Sequence, residues 1–305
     1  MISKNYLITI VGPTAIGKTA LSIQLANYFK AEIISCDSRQ FYKEMTIGTA
    51  VPNTDELASA VHHFVQNRSI FDDYNVGSFE RDALSKLDEL FQKNPVQIMV
   101  GGSGLYVDAV LKGLDYFPDV DPKIREALTN QLQEKGIETL QEKLKELDPE
   151  TYHSIAIDNP HRIMRALEIC IGAEMPYSTF KNKPKTPRNF SSIKIGLNAE
   201  REVIYNRINK RVDNMLANGL LEEAEKLYPN KDLNALQTVG YRELFSFFDG
   251  EFTQEFAISE IKKNTRRFAK RQGTWFKKDE ETLWFDYQTN INEIITKISD
   301  KINDI

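Results

Sequence analysis

Gly12-Pro13-Thr14-Ala15-Ile16-Gly17-Lys18-Thr19 is the stretch that decides how this 305-residue chain is read. It fits G-x-x-x-x-G-K-[ST] at every position. Its flanks suit it as well: the apolar run Tyr6–Val11 reads as a buried strand, and Lys18–Phe29 reads as a helix. A strand, a glycine-bearing turn and a helix N-terminus in that order make a phosphate cradle. Gly12 and Gly17 let the backbone turn so that successive N–H groups point inward. The helix end adds its dipole and Lys18 a point charge. Thr19 would bring its hydroxyl to a Mg²⁺ ion carried by the bound phosphate group.

Working outward, Glu32–Cys36 predicts a second strand, Phe79–Gln92 a helix and Gln97–Val100 another short strand. Such alternation implies an α/β fold: a P-loop NTPase-like core with a parallel sheet flanked by helices. The character then changes. Asp121–Leu147 is polar and helical, and a second helix over Asp158–Ile171 follows an Asp-Asn-Pro start. Pro176–Pro187 reads as an exposed linker, Ile193–Leu197 as a strand, and Glu202–Tyr228 as one long amphipathic helix. The expected organisation is a catalytic core of residues 1–117 and 189–305, interrupted by a helical insertion domain over 118–188.

Composition is that of a soluble globular protein, with 41% hydrophobic and 27% charged residues. No apolar run reaches the roughly 18–20 residues that span a bilayer. The short run Leu7–Val11 leads into the glycine motif and not into a cleavage site, so a membrane partner is not expected. Cys36 and Cys170 are too few for a disulfide framework or a four-ligand zinc site; they read as small buried residues in a reducing, cytoplasmic setting. The adjacent pair His62-His63 points to opposite sides on either element and is assigned no metal. A formal charge of −5 argues, taken alone, against a nucleic-acid partner. Its distribution argues the reverse, because residues 181–278 hold 20 Lys/Arg against 12 Asp/Glu. Met175–Ala199 lacks acids but has Lys181, Lys183, Lys185, Arg188 and Lys194. Lys262–Lys278 holds eight bases and no acid, with Phe268, Trp275 and Phe276 interleaved. Two such runs in an acidic protein favour a local phosphate-binding surface.

A P-loop alone does not say which phosphate compound it holds. An ATPase commonly ends a second apolar strand in Asp. Here Gln97–Val100 runs into Gly101-Gly102-Ser103-Gly104, with no acid. The acid stands past the other strand, in Asp37-Ser38-Arg39-Gln40. A carboxylate there faces the pocket above the sheet and can serve as a general base, as an N-cap or as an indirect Mg²⁺ ligand. From the residues alone a small-metabolite kinase using ATP and a non-catalytic RNA-binding module both stay open.

Several further segments, in order, carry a resemblance. After the P-loop and Asp37–Gln40 come Gly48-Thr49-Ala50, Val100–Tyr106, Asp158–Arg162 and Arg165–Glu168. Arg207-Ile208, Arg211–Asp213, Gln237–Arg242 and Arg266–Phe276 follow. Together with the loop they resemble the tRNA dimethylallyltransferase family, in its bacterial form, since two cysteines leave no zinc finger of the kind eukaryotic members carry. The resemblance implies transfer of a dimethylallyl group from dimethylallyl diphosphate to N6 of the adenosine immediately 3′ of the anticodon. It implies that the P-loop, Gly12 to Thr19, holds the diphosphate with Mg²⁺ and does not hydrolyse ATP. Asp37 then maps onto the general base, Ser103 onto the hydroxyl of the second glycine motif, and Arg211 onto an arginine that assists the diphosphate.

Contacts to the tRNA anticodon stem-loop carry over to Asp37, Ser38, Arg39, Gln40 and Ser103, and to Arg125, His161, Arg162, Ile163, Met164 and Arg165 of the insertion. They also carry over to Gln237, Gly240, Tyr241 and Arg242, and the basic run adds Arg266 and Lys270. Against this, Arg162 and Arg165 have the spacing to pair with Glu168 on one helix face. Trp275 and Phe276 suit a core as well as a stacking platform. Ser103 replaces the commoner Thr, Val51 stands where Lys often follows Gly-Thr-Ala, and Val61 replaces the Pro before the histidines. A monomer is expected.

Overall fold

The computed structural model describes residues 4–304. Six strands form one sheet: β1 (Asn5–Val11), β2 (Ile33–Ser35), β3 (His62–His63), β4 (Val96–Val100), β5 (Phe190–Asn198) and β6 (Leu283–Asp286). Their order is β3-β2-β4-β1-β5-β6, and every pairing is parallel. Parallel strands must be buried on both faces, because their crossovers lie on those faces. β1 shows it: Tyr6, Ile8 and Ile10 enter one apolar cluster, and Leu7 and Val11 enter another.

The first cluster is closed by α1 (Lys18–Phe29) through Leu21 and Leu25. The second is closed by α3 (Val76–Phe91) and α4 (Gly104–Lys112), after the short α2 (Thr54–Ser59). The chain then enters α5 (Pro122–Lys135), α6 (Ile137–Leu147), α7 (Pro149–Ser154) and α8 (Pro160–Ala173). Beyond β5 lie α9 (Arg201–Ala217), α10 (Leu220–Leu227), α11 (Tyr241–Phe248), α12 (Gln254–Phe276) and, after β6, α13 (Ile291–Asp304). Ile294 and Ile298 of α13 join α1 in the first cluster. A third cluster joins α9 to α12 through Val212, Leu220, Leu244 and Ile261.

The chain divides into two compact units, one reaching Lys112 and resuming at Arg188, the other Gly113–Pro187. The second unit packs α5, α6 and α8 about Leu128, Leu140, Leu144, Ile163 and Leu167. Cys36 and Cys170 are both buried.

Three readings of the sequence need correction. The run Glu202–Tyr228 is two helices, α9 and α10, broken at Gly219 with φ +97°. That left-handed geometry suits glycine and ends the helix despite an unbroken apolar pattern. Asp121–Leu147 breaks likewise, at Gly136. The third correction concerns the basic run at 181–194. The Arg188 guanidinium is largely buried, pairs with Glu80 at 2.5 Å and donates to the carbonyls of Val110 and Ala109. Lys194, 8% exposed, pairs with Asp279, and Lys185 donates to the Gly113 carbonyl. These cations hold the fold together and are spent on internal partners. The linker Pro176–Pro187 opens with a 3₁₀ turn, Tyr177–Phe180, whose Tyr177 stacks on Phe117 at 4.6 Å, and its remainder is largely exposed.

Candidate functional site

The site lies at the C-terminal ends of β1, β2 and β4, where loops leave a parallel sheet and ligands bind in α/β folds. The β1 loop turns at Gly12, φ +143°, and a Cβ there would lie 2.5 Å from the Leu197 carbonyl oxygen. Gly17 caps α1 without a side chain, so the helix N-terminus opens into the loop. Lys18 Nζ donates to the Pro13 carbonyl at 2.8 Å and to Gly12 at 3.1 Å. Burial pulls its ammonium down to about 8; the Asp37 charge opposes that fall and Arg211 adds to it.

Helices far along the chain complete the loop. Arg211 Nη1 donates to Thr14 Oγ1 at 3.2 Å, and Arg207 Nε to the Ala15 carbonyl at 2.7 Å. Burial lowers the Arg211 guanidinium, against the charges of Asp37 and Glu56. Asp37 accepts from the Arg39 N–H at 3.1 Å in a tight turn. Ser103 Oγ meets the Ser38 N–H at 3.2 Å and the Ser38 hydroxyl at 3.1 Å, so the β2 and β4 loops are tied together beside Asp37.

Two clefts meet there. One, of about 460 Å³, is lined by the P-loop from Thr14 to Thr19, Gln40, Val51, His62 and Arg207. The other, of about 350 Å³, is lined by Ser38, Arg39, Ser103, Gln237, Gly240 and Arg242, with apolar Ile208, Val212 and Val239. Asp37, Thr14, Thr49 and Arg211 belong to both. Asp37 thus stands between the P-loop cleft and a mixed polar and apolar cleft.

Mg²⁺ is a hard cation that keeps several waters and prefers oxygen ligands. Thr19 and Asp37 bring such oxygens to the phosphate cleft. His62 Nε2, enclosed and without a hydrogen-bond partner among the described residues, lines it as well. The Thr19 hydroxyl suits a Mg²⁺ carried by a diphosphate, whereas the His62 nitrogen is not a ligand of the kind this ion prefers.

Other expected contact residues fall into two groups. Arg125, His161, Arg162 and Arg165 lie on the surface of the second unit. Arg125 and Arg165 both pair with Glu168, at 2.8 and 3.3 Å, and Arg162 makes no such pair. Ile163 and Met164 are instead core residues, as the inward face of α8 requires. Tyr241 is fully buried, with its hydroxyl on Glu223 at 2.6 Å, so it is no surface contact. Gln40 uses its amide on the Thr49 and Ala50 carbonyls, and Arg39 uses its guanidinium on the Asn234 and Ala235 carbonyls.

On α12, Lys262 pairs with Asp213, Lys263 with Glu260, and Arg266 donates to Asn209. The exposed bases are Arg267, Lys270, Arg271, Lys277 and Lys278, with Phe268 and Trp275 exposed among them and Phe276 in the core.

Two structural residues of the site had no separate signal in the sequence. Glu223 belongs to no motif, and its carboxylate accepts from the N–H groups of Thr46, Ile47 and Gly48 and shapes the loop that reaches Thr49. Gln272 stood inside a run read for its positive charge, yet it joins the P-loop to the β4 loop.

A glycine-turned loop on the central strand of a parallel sheet, with lysine, hydroxyl and helix dipole converging, defines a P-loop protein whose acid lies past β2. A profile described as IPP transferase matches residues 40–279. The chain belongs to the IPP transferase family. The tRNA dimethylallyltransferase of Flavobacterium psychrophilum is 64% identical to it over 304 residues, covering 98% of this chain and 99% of its own. The crystal structure of a full-length tRNA isopentenylpyrophosphate transferase from Bacillus halodurans is 36% identical, with TM-score 0.74 over 99% of this chain and 98% of its own. A eukaryotic dimethylallyltransferase captured acting on tRNA is 25% identical, with TM-score 0.78 over 97% of this chain and 77% of its own. Family membership makes this chain a prenyltransferase. Among the described residues no helix is long and apolar enough to cross a membrane.

Proposed function

We propose that this protein transfers a dimethylallyl group from dimethylallyl diphosphate to the exocyclic N6 of the adenosine immediately 3′ of the anticodon in tRNA, releasing diphosphate. The observation that carries this reading is the position of Asp37, shared by the P-loop cleft and the cleft beside Ser103. A carboxylate at that junction reaches both the group that leaves and the group that attacks.

In this reading the diphosphate lies on the N–H groups of the P-loop, with Lys18 and Arg211 balancing its charge. The adenine N6 attacks C1 of the dimethylallyl group. The C1–O bond breaks and its electron pair leaves with the diphosphate. Asp37 takes the N6 proton, which an amine delocalised into a purine ring must lose as the new bond forms. Thr19 would hold Mg²⁺ through the bound diphosphate, and the ion would supply further charge neutralisation there. The apolar wall of Ile208, Val212 and Val239 suits a five-carbon chain and a flat base. An anticodon-loop base reaches such a cleft only when flipped out, a cost that single-stranded loops keep low. Ser38, Arg39, Gln237 and Arg242 surround the flipped base in this assignment. Lys270 of the core, and Arg125, His161, Arg162 and Arg165 of the insertion, contact the stem-loop.

The direct test incubates the protein with dimethylallyl diphosphate, Mg²⁺ and unmodified tRNA. Prenylated adenosine is the expected product, and ATP consumption without it would point to a metabolite kinase.

Two predictions arise here. Lys18 sits near 8, and an anionic diphosphate favours its charged form. Inorganic pyrophosphate binding should therefore take up a proton above about pH 8, and affinity should fall as pH rises there. Lys18→Met should remove that part of the uptake when binding heat is compared in buffers of different ionisation enthalpy. An identical uptake in the variant would sink the assignment.

The second concerns Arg267, Lys270 and Arg271, the exposed bases of the middle of α12. Neutralising all three should make the fall of tRNA affinity with salt shallower, each phosphate contact being worth about 0.7–0.9 in the log–log slope. A salt titration of tRNA binding showing an unchanged slope would remove α12 from the RNA surface.

A further inference from the structure

Gln272 of α12 is 5% exposed, and both ends of its amide are used. Its Oε1 accepts from the Thr14 N–H at 2.9 Å, and its Nε2 donates to the Gly102 carbonyl at 2.9 Å. A side-chain amide carries acceptor and donor on one flat, rigid group, so two loops joined through it keep a set spacing. The loops concerned are the two that the proposed transfer must bring together. Thr14 belongs to the phosphate loop, and its hydroxyl receives the Arg211 hydrogen bond. Gly102 precedes Ser103, whose hydroxyl is tied to Ser38, next to Asp37.

The glycines of the β4 loop are clearances for α12. A Cβ on Gly102 would stand 2.2 Å from Gln272 Nε2, and one on Gly104 would stand 2.4 Å from the Trp275 ring. Trp275 in turn donates to Asp108 at 2.9 Å, which anchors the same helix on α4. With hydrogen alone at 102 and 104, α12 comes close enough for the amide to span both loops.

We infer that Gln272 is a positioning residue for the transfer step, setting the distance between the diphosphate loop and the Asp37–Ser103 pair. The inference rests on the function proposed above. Gln272 acts through Thr14 and Gly102, so its removal leaves the groups that bind each substrate in place and misaligns them relative to one another. A misplacement of about 1 Å costs up to about 10²-fold in rate.

The experiment compares wild type, Gln272→Met and Gln272→Glu in steady-state prenylation of unmodified tRNA, with pyrophosphate binding measured alongside. Met keeps the length of the side chain and removes both hydrogen bonds. Glu keeps the acceptor and regains the donor when its carboxyl is protonated, which burial favours. Gln272→Met should lower kcat by about 10- to 100-fold, with both KM values and the pyrophosphate Kd within about threefold of wild type. Gln272→Glu should gain on Gln272→Met as pH falls from about 8 to about 6.

Wild-type kcat in Gln272→Met would overturn the inference, as would a loss carried by KM or by pyrophosphate affinity. A Glu-to-Met activity ratio indifferent to pH would overturn it too. Wild-type protein that prenylates no tRNA would instead overturn the proposed function, a result separable from all of these.

Discussion

Asp37→Asn is expected to lower turnover by at least about 10²-fold, the scale of losing a general base, with the fold and the binding of both substrates close to wild type. Asn keeps the size of the side chain and an oxygen for the Arg39 N–H, which Asp37 now accepts at 3.1 Å. In the proposed reaction, what it loses is the ability to take a proton from N6. The substitution also removes a negative charge that opposes the depression of Lys18 and Arg211, so both cations should become somewhat easier to deprotonate. At a pH low enough to keep Lys18 charged, the loss of Asp37's repulsion of the diphosphate leaves anion affinity unchanged or higher, which separates a catalytic loss from a binding loss. Single-turnover prenylation and tRNA binding measured on the same preparation decide it. Turnover equal to wild type would mean that the proton leaves N6 by another route.

Gly12→Ala should be the most damaging single methyl in the P-loop. Its Cβ would be placed 2.5 Å from the Leu197 carbonyl oxygen, a backbone atom of β5 that cannot swing aside, and φ is +143°. Strain of about 1–3 kcal/mol is ordinary for such a backbone, before the clash is counted. Stability to denaturant should fall by at least that much, and pyrophosphate affinity should fall with it. Gly17→Ala is the control, since its nearest neighbour is the end of Arg207 at 4.0 Å with φ +114°. It should show the backbone strain without the collision. Equal losses at the two positions would mean that proximity to Leu197 is irrelevant.

The legible parts of the fold were those with strong local chemistry. The P-loop octet, β1 and α1 could be read because strand periodicity, glycine turn and helix start coincide within about twenty residues. α1 begins and ends where its sequence predicted, at Lys18 and Phe29. The breaks at Gly136 and Gly219 were missed because apolar spacing continues across them while a single positive φ ends the helix. β3 was missed because two residues carry no periodicity; its strand character comes from pairing with β2.

The basic block at 181–278 shows the same division. Charge counting singles out the stretch but cannot tell Arg188 and Lys194, spent on Glu80 and Asp279, from exposed Lys270 and Arg271. The carried-over tRNA contacts behaved similarly: Tyr241, Ile163 and Met164 were named by position and lie inside.

By itself the sequence determined that this chain carries a G-x-x-x-x-G-K-[ST] loop between a strand and a helix, that an acid follows the second strand, and which family the combination resembles. These are short-range facts, carried by residues near one another in the chain. Only the tertiary structure decided that Asp37 is shared by two clefts, that Gln272 spans the loops at 14 and 102, and that Glu223 holds the turn at 46–48. Those pairings join residues 170 to 258 positions apart or groups whose burial no local pattern encodes, because long-range contacts form only when helices and sheet pack, and packing is a property of the whole chain.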